Sequence, residues 1–128
     1  MAKILVAEDE KQIADMIAFK LTNSGHQVIR AQDGEQAMKL AQHDIPDLIM
    51  LDVMMPGLSG FEVLRRLKAD STLRSVPVIM VTAKGHERDV LSGLRGGAVD
   101  YVVKPFSLKE LAARVELALG KDSPPTAP

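Results

Sequence analysis

The chain has 128 residues, enough for one domain that buries roughly two thirds of the surface its unfolded form would expose. With 46% hydrophobic residues, 26% charged residues and a formal net charge of −1, it has no global attraction for nucleic acid or anionic membrane. Any charge that matters is therefore local. The absence of cysteine removes disulfides, thiolate metal sites and cysteine nucleophiles, and suits a reducing compartment. The start, MAKILVAEDE, offers only ILVA before its acids, too little for a signal peptide, and no later apolar run reaches membrane-spanning length. We expect a cytoplasmic protein.

In chain order, β-rich apolar runs alternate five times with amphipathic helical stretches. KILVA (3–7) is the first strand, and Ile13, Met16, Ile17 and Leu21 then recur at helical spacing before Gly25, a C-terminal stop. QVIRA (27–31) is the second strand, followed by a helix that starts at Asp33 and Gln36 and carries Ala37, Leu40 and Ala41 as its stripe. DLIML (47–51) is the third, and Ser59 with Glu62 forms a capping box ahead of Leu64 and Leu67. VIMVT (78–82) is the fourth, followed by a weaker helix over 86–95 whose propensity Gly93, Gly96 and Gly97 lower, so we expect it to be the most mobile. YVVK (101–104) is the fifth, and a second capping box, Ser107 with Glu110, precedes Leu111, Ala112, Val115 and Leu119. The last eight residues, KDSPPTAP, are small, polar and proline-rich, and are expected to form a flexible tail or a truncated linker after a domain of residues 1–120.

Strands this continuously apolar suit a parallel sheet covered on both faces. The expected fold is α/β: a single (βα)5 doubly wound domain, with a five-stranded parallel sheet of order 2-1-3-4-5 and helices on both faces. In such sheets ligands sit outside the carboxyl ends of the strands. Those ends carry Glu8 and Asp9, then Asp52, Thr82 and Lys104, while strand two ends without charge. If strand two lies at an edge, in the order 2-1-3-4-5, the other four ends and their polar residues come together. Carboxylates about 4 Å apart repel by about 1 kcal/mol per pair in water and by several times more at lower dielectric. Hard oxygen ligands suit Mg²⁺, and with the Lys104 ammonium such an ion makes the pocket accept a phosphoryl group. Asp52 is then a candidate nucleophile.

The segments VAEDE, LIMLDVMMPGLSGFEVL, VIMVTA and GAVDYVVKPF, within residues 3 to about 119, resemble the receiver domain of two-component response regulators. The resemblance implies that Asp52 is the phosphoacceptor. It makes Glu8, Asp9, Asp52 and the backbone carbonyl of Met54 the ligands of Mg²⁺, or of Mn²⁺. Thr82 and Lys104 would contact the phosphoryl oxygens, Thr82 and Tyr101 would form the switch, with Tyr101 turning inward, and the Lys104–Pro105 peptide would be cis. Met54 and Lys84 would lie over the path of the hydrolytic water, giving slow self-dephosphorylation. The donor would be a phosphohistidine on a sensor histidine kinase or histidine phosphotransfer protein, and the domain a phosphoacceptor rather than an enzyme. Leu94, Asp100, Glu110 and Arg114 match positions that the DNA-binding subfamily uses in a symmetric dimer through its fourth helix, fifth strand and fifth helix. Arg95 and Val99 depart from that pattern, so the dimer should be weak. The domain itself would bind neither nucleic acid nor membrane.

Other readings compete. Met54 and Met55 read as packing residues, Pro56 and Gly57 suit the centre of a type II turn, and His26, His43 and His86 show no ligand spacing and receive no role. A flavin module would need a phosphate-cradling loop where AEDEK stands, and a haloacid-dehalogenase-like phosphatase would need an acid where Met54 stands. A non-phosphorylated adaptor with the same fold is the remaining alternative. The full set of site residues argues against it.

Overall fold

The structure, a computed structural model, describes residues 1–83 and 87–120, with backbone alone at 87–89. The elements alternate strictly: β1 (Lys3–Ala7), α1 (Lys11–Asn23), β2 (Gln27–Ala31), α2 (Gly34–Asp44), β3 (Leu48–Asp52), α3 (Gly60–Ala69), β4 (Val78–Ala83), α4 (Glu87–Arg95), β5 (Asp100–Lys104) and α5 (Leu108–Ala118). All pairings are parallel and the strand order is β2-β1-β3-β4-β5, the order the sequence predicts.

Both faces of the sheet are buried, and the alternation of side chains along each strand divides them. Ile4 and Val6 of β1, Leu48 and Met50 of β3, and Ile79 and Val81 of β4 face α1 and α5, where Ile17, Leu21, Leu111 and Val115 cover them. Leu5, Ala7, Ile49, Leu51, Val78 and Met80 face the other way, against Ala37 and Ala41 of α2 and Val63, Leu64 and Leu67 of α3. This two-sided burial is why the strands are continuous apolar runs rather than alternating ones. Met16, expected in the stripe of α1, is instead exposed, and Ala14 takes a buried place. Met16 lies about 100° around the helix from Ile17, which rotates it off the covered face.

The helix starts follow local chemistry. Asp33 Oδ1 accepts from the Gln36 N–H at 2.8 Å, Ser59 Oγ from Glu62 at 3.2 Å, and Ser107 Oγ from Glu110 at 2.9 Å. The reciprocal halves of the two serine capping boxes are diverted, because Glu62 pairs with Arg65 and Arg66, and Glu110 with Arg114 at 3.2 Å.

His26 departs from the sequence reading, which gave it no role at a loop position. Its side chain is 3% exposed. Its Nδ1 accepts from the Ala2 N–H at 3.1 Å and its Nε2 lies 2.6 Å from Glu116 Oε2. An acceptor at Nδ1 puts the proton on Nε2, which donates to Glu116, so one ring ties the start of β1 to α5. We expect His26→Ala to cost about 2–3 kcal/mol in urea unfolding, since it opens a cavity and leaves the Ala2 N–H without its partner. His43→Ala, at a side chain 83% exposed, should stay within about 0.5 kcal/mol of the parent.

Candidate functional site

Four adjacent strand ends build one site. Glu8 directly follows β1, anchored by its N–H on the Ala31 carbonyl at 3.1 Å, and is buried. Asp52 is the last residue of β3, which runs one position later than the sequence predicts, and it too is buried. Thr82 is buried near the end of β4. Lys104 ends β5 and reaches across β4: its Nζ lies 2.7 Å from Asp52 Oδ2, 3.1 Å from Glu8 Oε1 and 3.2 Å from Glu10 Oε1. The other Asp52 oxygen, Oδ1, accepts from the Met54 N–H at 2.9 Å. The loop behind it turns at Gly57, whose φ of 77° suits the third position of a type II turn. Of the two methionines read as packing residues, Met55 is buried, but Met54 is 67% exposed at the rim of the site.

Glu10 is a participant that the sequence reading missed. Oxygens of Glu8, Glu10 and Asp52 all lie within 4.8 Å of one another, whereas Asp9 is not part of that group. Asp9 is exposed and borders an open cleft of about 310 Å³ shared with Glu8, Lys11, Arg30 and Gln32. The signal for Glu10 was its place just before α1, where the chain turns back over the strand ends.

The electrostatics follow from this crowding. Burial, then the hydrogen bond and charge of Asp52, push the Glu8 carboxyl up to about 7, against the Glu10 N–H and Lys104, which pull it down. Burial works against the charge on Lys104, but the hydrogen bonds and charges of Asp52 and then Glu8 outweigh it and raise its pKa. The ammonium therefore stays charged. Glu8 Oε1 is buried without a hydrogen bond, the nearby ammonium being off the required line. A buried anionic oxygen left in this way, beside two other hard oxygen donors, fits a small divalent cation.

Further along β5, Tyr101 is buried and its ring lies against Gly93 of α4. The inward position is thus already occupied. The Lys104–Pro105 peptide is cis. Arg114 Nη1 contacts both oxygens of Asp100, at 2.8 and 2.9 Å, so the charges matched to a dimer pair within the chain. Leu94 and Val99 are exposed beside Leu91 and Val103, and Arg95 is exposed as well. Lys84 and His86 lie outside the described residues.

A doubly wound sheet with a buried aspartate, an acidic neighbour and a lysine gathered at its strand ends is the arrangement of a receiver domain. Residues 4–116 match the response regulator receiver domain, and the chain belongs to that family. It is 45% identical over 122 residues to the phosphate regulon transcriptional regulatory protein PhoB of Escherichia coli, covering 95% of this chain and 53% of that protein. It is 47% identical over 117 residues to the alkaline phosphatase synthesis transcriptional regulatory protein PhoP of Bacillus subtilis, covering 91% and 48%. The chain spans about half the length of these curated relatives. Among solved structures it superposes on a putative response regulator from Chloroflexus aurantiacus with a TM-score of 0.90 at 32% identity, covering 93% of this chain and 98% of that one. The receiver domain of a histidine kinase from Syntrophus aciditrophicus gives a TM-score of 0.87 at 32% identity, covering 100% and 97%. No helix among the described residues is long and apolar enough to cross a membrane.

The raised pKa of Glu8 has a definite sign. Folded Glu8, at about 7, holds its proton more tightly than an ordinary glutamic acid at 4.5, so its contribution to stability is complete below 4.5 and is lost as pH rises through about 7. In EDTA, the native protein should lose thermal stability over that interval relative to Glu8→Gln. A divalent ion competes with the same proton, so apparent Mg²⁺ affinity should weaken by up to ~10-fold per pH unit below 7. Thermal unfolding with EDTA or Mg²⁺ across the pH series reads both.

Proposed function

We propose that this receiver domain is a phosphorylation-dependent signalling switch of the cytoplasm. It accepts a phosphoryl group on Asp52 from the phosphohistidine of a sensor histidine kinase or histidine phosphotransfer protein. The observation that carries this reading is the buried Asp52 carboxylate on a rigid strand end, 2.7 Å from the Lys104 ammonium and beside a buried acid with an oxygen left without a hydrogen bond. Residues 1–120 act as the receiver unit and residues 121–128 as a tail or linker.

Glu8, Asp52 and the Met54 carbonyl, with Asp9 or Glu10 completing the set, hold Mg²⁺ or Mn²⁺. An ion held there would supply neutralisation of charge for the incoming phosphoryl oxygens. Because Oδ1 is tied to the Met54 N–H, Oδ2 is the attacking oxygen. A bond forms from Oδ2 to phosphorus, the phosphorus–nitrogen bond of the donor breaks, and the imidazole nitrogen keeps that electron pair. Lys104 passes from Oδ2 to a phosphoryl oxygen, and the Thr82 hydroxyl donates to another. The chain assists its own phosphorylation and slow dephosphorylation without acting on a separate substrate. Met54 and Lys84 set the lifetime, since a thioether orients water poorly. The change is read on α4, β5 and α5, by a partner, by an effector or by a second copy of the chain.

Acetyl phosphate with Mg²⁺ should add one phosphate to the intact mass of the native protein and none to Asp52→Asn. The label should disappear several-fold faster from Met54→Asn. Equal labelling of Asp52→Asn defeats the assignment, and label loss no faster from Met54→Asn removes that residue from lifetime control.

Self-association through α4, β5 and α5 has to exchange the Arg114–Asp100 pair within the chain for one between chains. Exposed ion pairs are worth about 0–1 kcal/mol, so that exchange gains little and the dimer is weak. In sedimentation, beryllofluoride should raise the dimer fraction of the native protein and not that of Arg114→Glu. A monomer throughout leaves this face to a different partner.

A further inference from the structure

Gly93 is the buried position of α4 among its side-chain-described residues, 90–95; Val90 is half-buried and the rest are exposed. A Cβ placed on Gly93 would fall on the Tyr101 hydroxyl, 2.6 Å from ring atom Cε2 and 2.8 Å from Cζ. A ring is rigid, so it has to swing as a whole or the helix has to lift. The helix is not free to slide along its axis, because the Gly93 carbonyl accepts from the Ala98 N–H at 2.9 Å and so fixes the exit into β5. Glycine weakens a helix interior relative to alanine, which makes this a poor residue for α4 on propensity alone.

We propose that Gly93 is a notch that allows α4 to close over the inward ring of Tyr101, and that it thereby sets helix position and ring position as one equilibrium. With any side chain at 93 the two exclude each other. The ring then occupies the outward position, or α4 stands off the sheet and presents Leu91 and Leu94 differently. Gly93 is a positioning residue for the face that partners read. That consequence rests on the switch reading above; the notch itself does not.

The chain has one tyrosine and no tryptophan, so its intrinsic emission reports Tyr101 alone. In the full unphosphorylated chain, Gly93→Ala should raise the acrylamide quenching constant of that emission several-fold. Urea unfolding followed by circular dichroism supplies the second arm. Gly93→Ala should destabilise the native background, yet stabilise the Tyr101→Ala background, where only the gain in helix propensity remains. If Gly93→Ala alone does not fold, rescue by Tyr101→Ala supports the notch and failure of rescue overturns it. Unchanged quenching together with equal stabilisation in both backgrounds also overturns it. Labelling of the native protein with acetyl phosphate, run in parallel, tests the phosphoacceptor reading separately, because the quenching and unfolding arms need no phosphoryl group.

Discussion

The ammonium of Lys104 spans β4 to reach Asp52, and the geometry of the site depends on that reach. Three carboxylates gathered within 4.8 Å are tolerated here because one cation sits 2.7 to 3.2 Å from all of them. One ammonium does not balance three ionised carboxylates. Burial first, and then the hydrogen bond and charge of Asp52, raise the Glu8 pKa, and its Oε1 atom finds no hydrogen bond. The site therefore gathers more negative charge than its lysine offsets, an arrangement that fits a small divalent cation. On the proposed function, acceptor chemistry and metal dependence would be two aspects of one imbalance.

The fold makes this reach possible. Parallel pairing aligns the carboxyl ends of neighbouring strands, and register sets Asp52 opposite Val81 and Ala83 opposite Lys104. Placing β2 at the edge keeps the one strand end that contributes no site residue out of the cluster. Burial on both faces then stiffens β3, so that Asp52 is held by a strand without slack. A carboxylate on a mobile loop would relax away from its neighbours, and the imbalance would vanish with it.

Much of this was legible because it is written in local chemistry. Apolar runs, capping residues and strand-end polar residues each carry their meaning within a few positions, and once strand two was set at an edge the joining of Asp52, Glu8 and Lys104 followed; the strand order itself rested on that assumption and on the family resemblance. What was not legible depends on distant partners or on backbone conformation. His26 looks like a loop histidine until Ala2 and Glu116, 24 residues before and 90 after it in sequence separation, close around it. Met16 fits a helical stripe by spacing, yet it is off the covered face of α1. Ile45 ends α2 in the left-handed region at φ 45°, a conformation that costs a β-branched residue about 1–2 kcal/mol; Pro46 announces the helix end but not that conformation. Glu10 stood in plain view within AEDEK. Only the turn into α1 gives its side chain a target.

The output face follows from the same accounting of partners. On α5 and β5, Arg114 is already engaged by Asp100 and Glu110, so the strongest charges on this face are satisfied within the chain. Beside those pairs the face exposes Arg95 and four apolar side chains, Leu91, Leu94, Val99 and Val103, each of the four more than 40% exposed. Two of the apolar four belong to α4, the helix in which Gly93 lies against the Tyr101 ring, while Val103 precedes Lys104, whose head group pairs with Asp52. If a partner reads this surface as proposed, the position in which α4 places its leucines would weigh more than new ion pairs from Arg114. That placement is tied to the site through one strand, with Tyr101 and Lys104 three residues apart on β5.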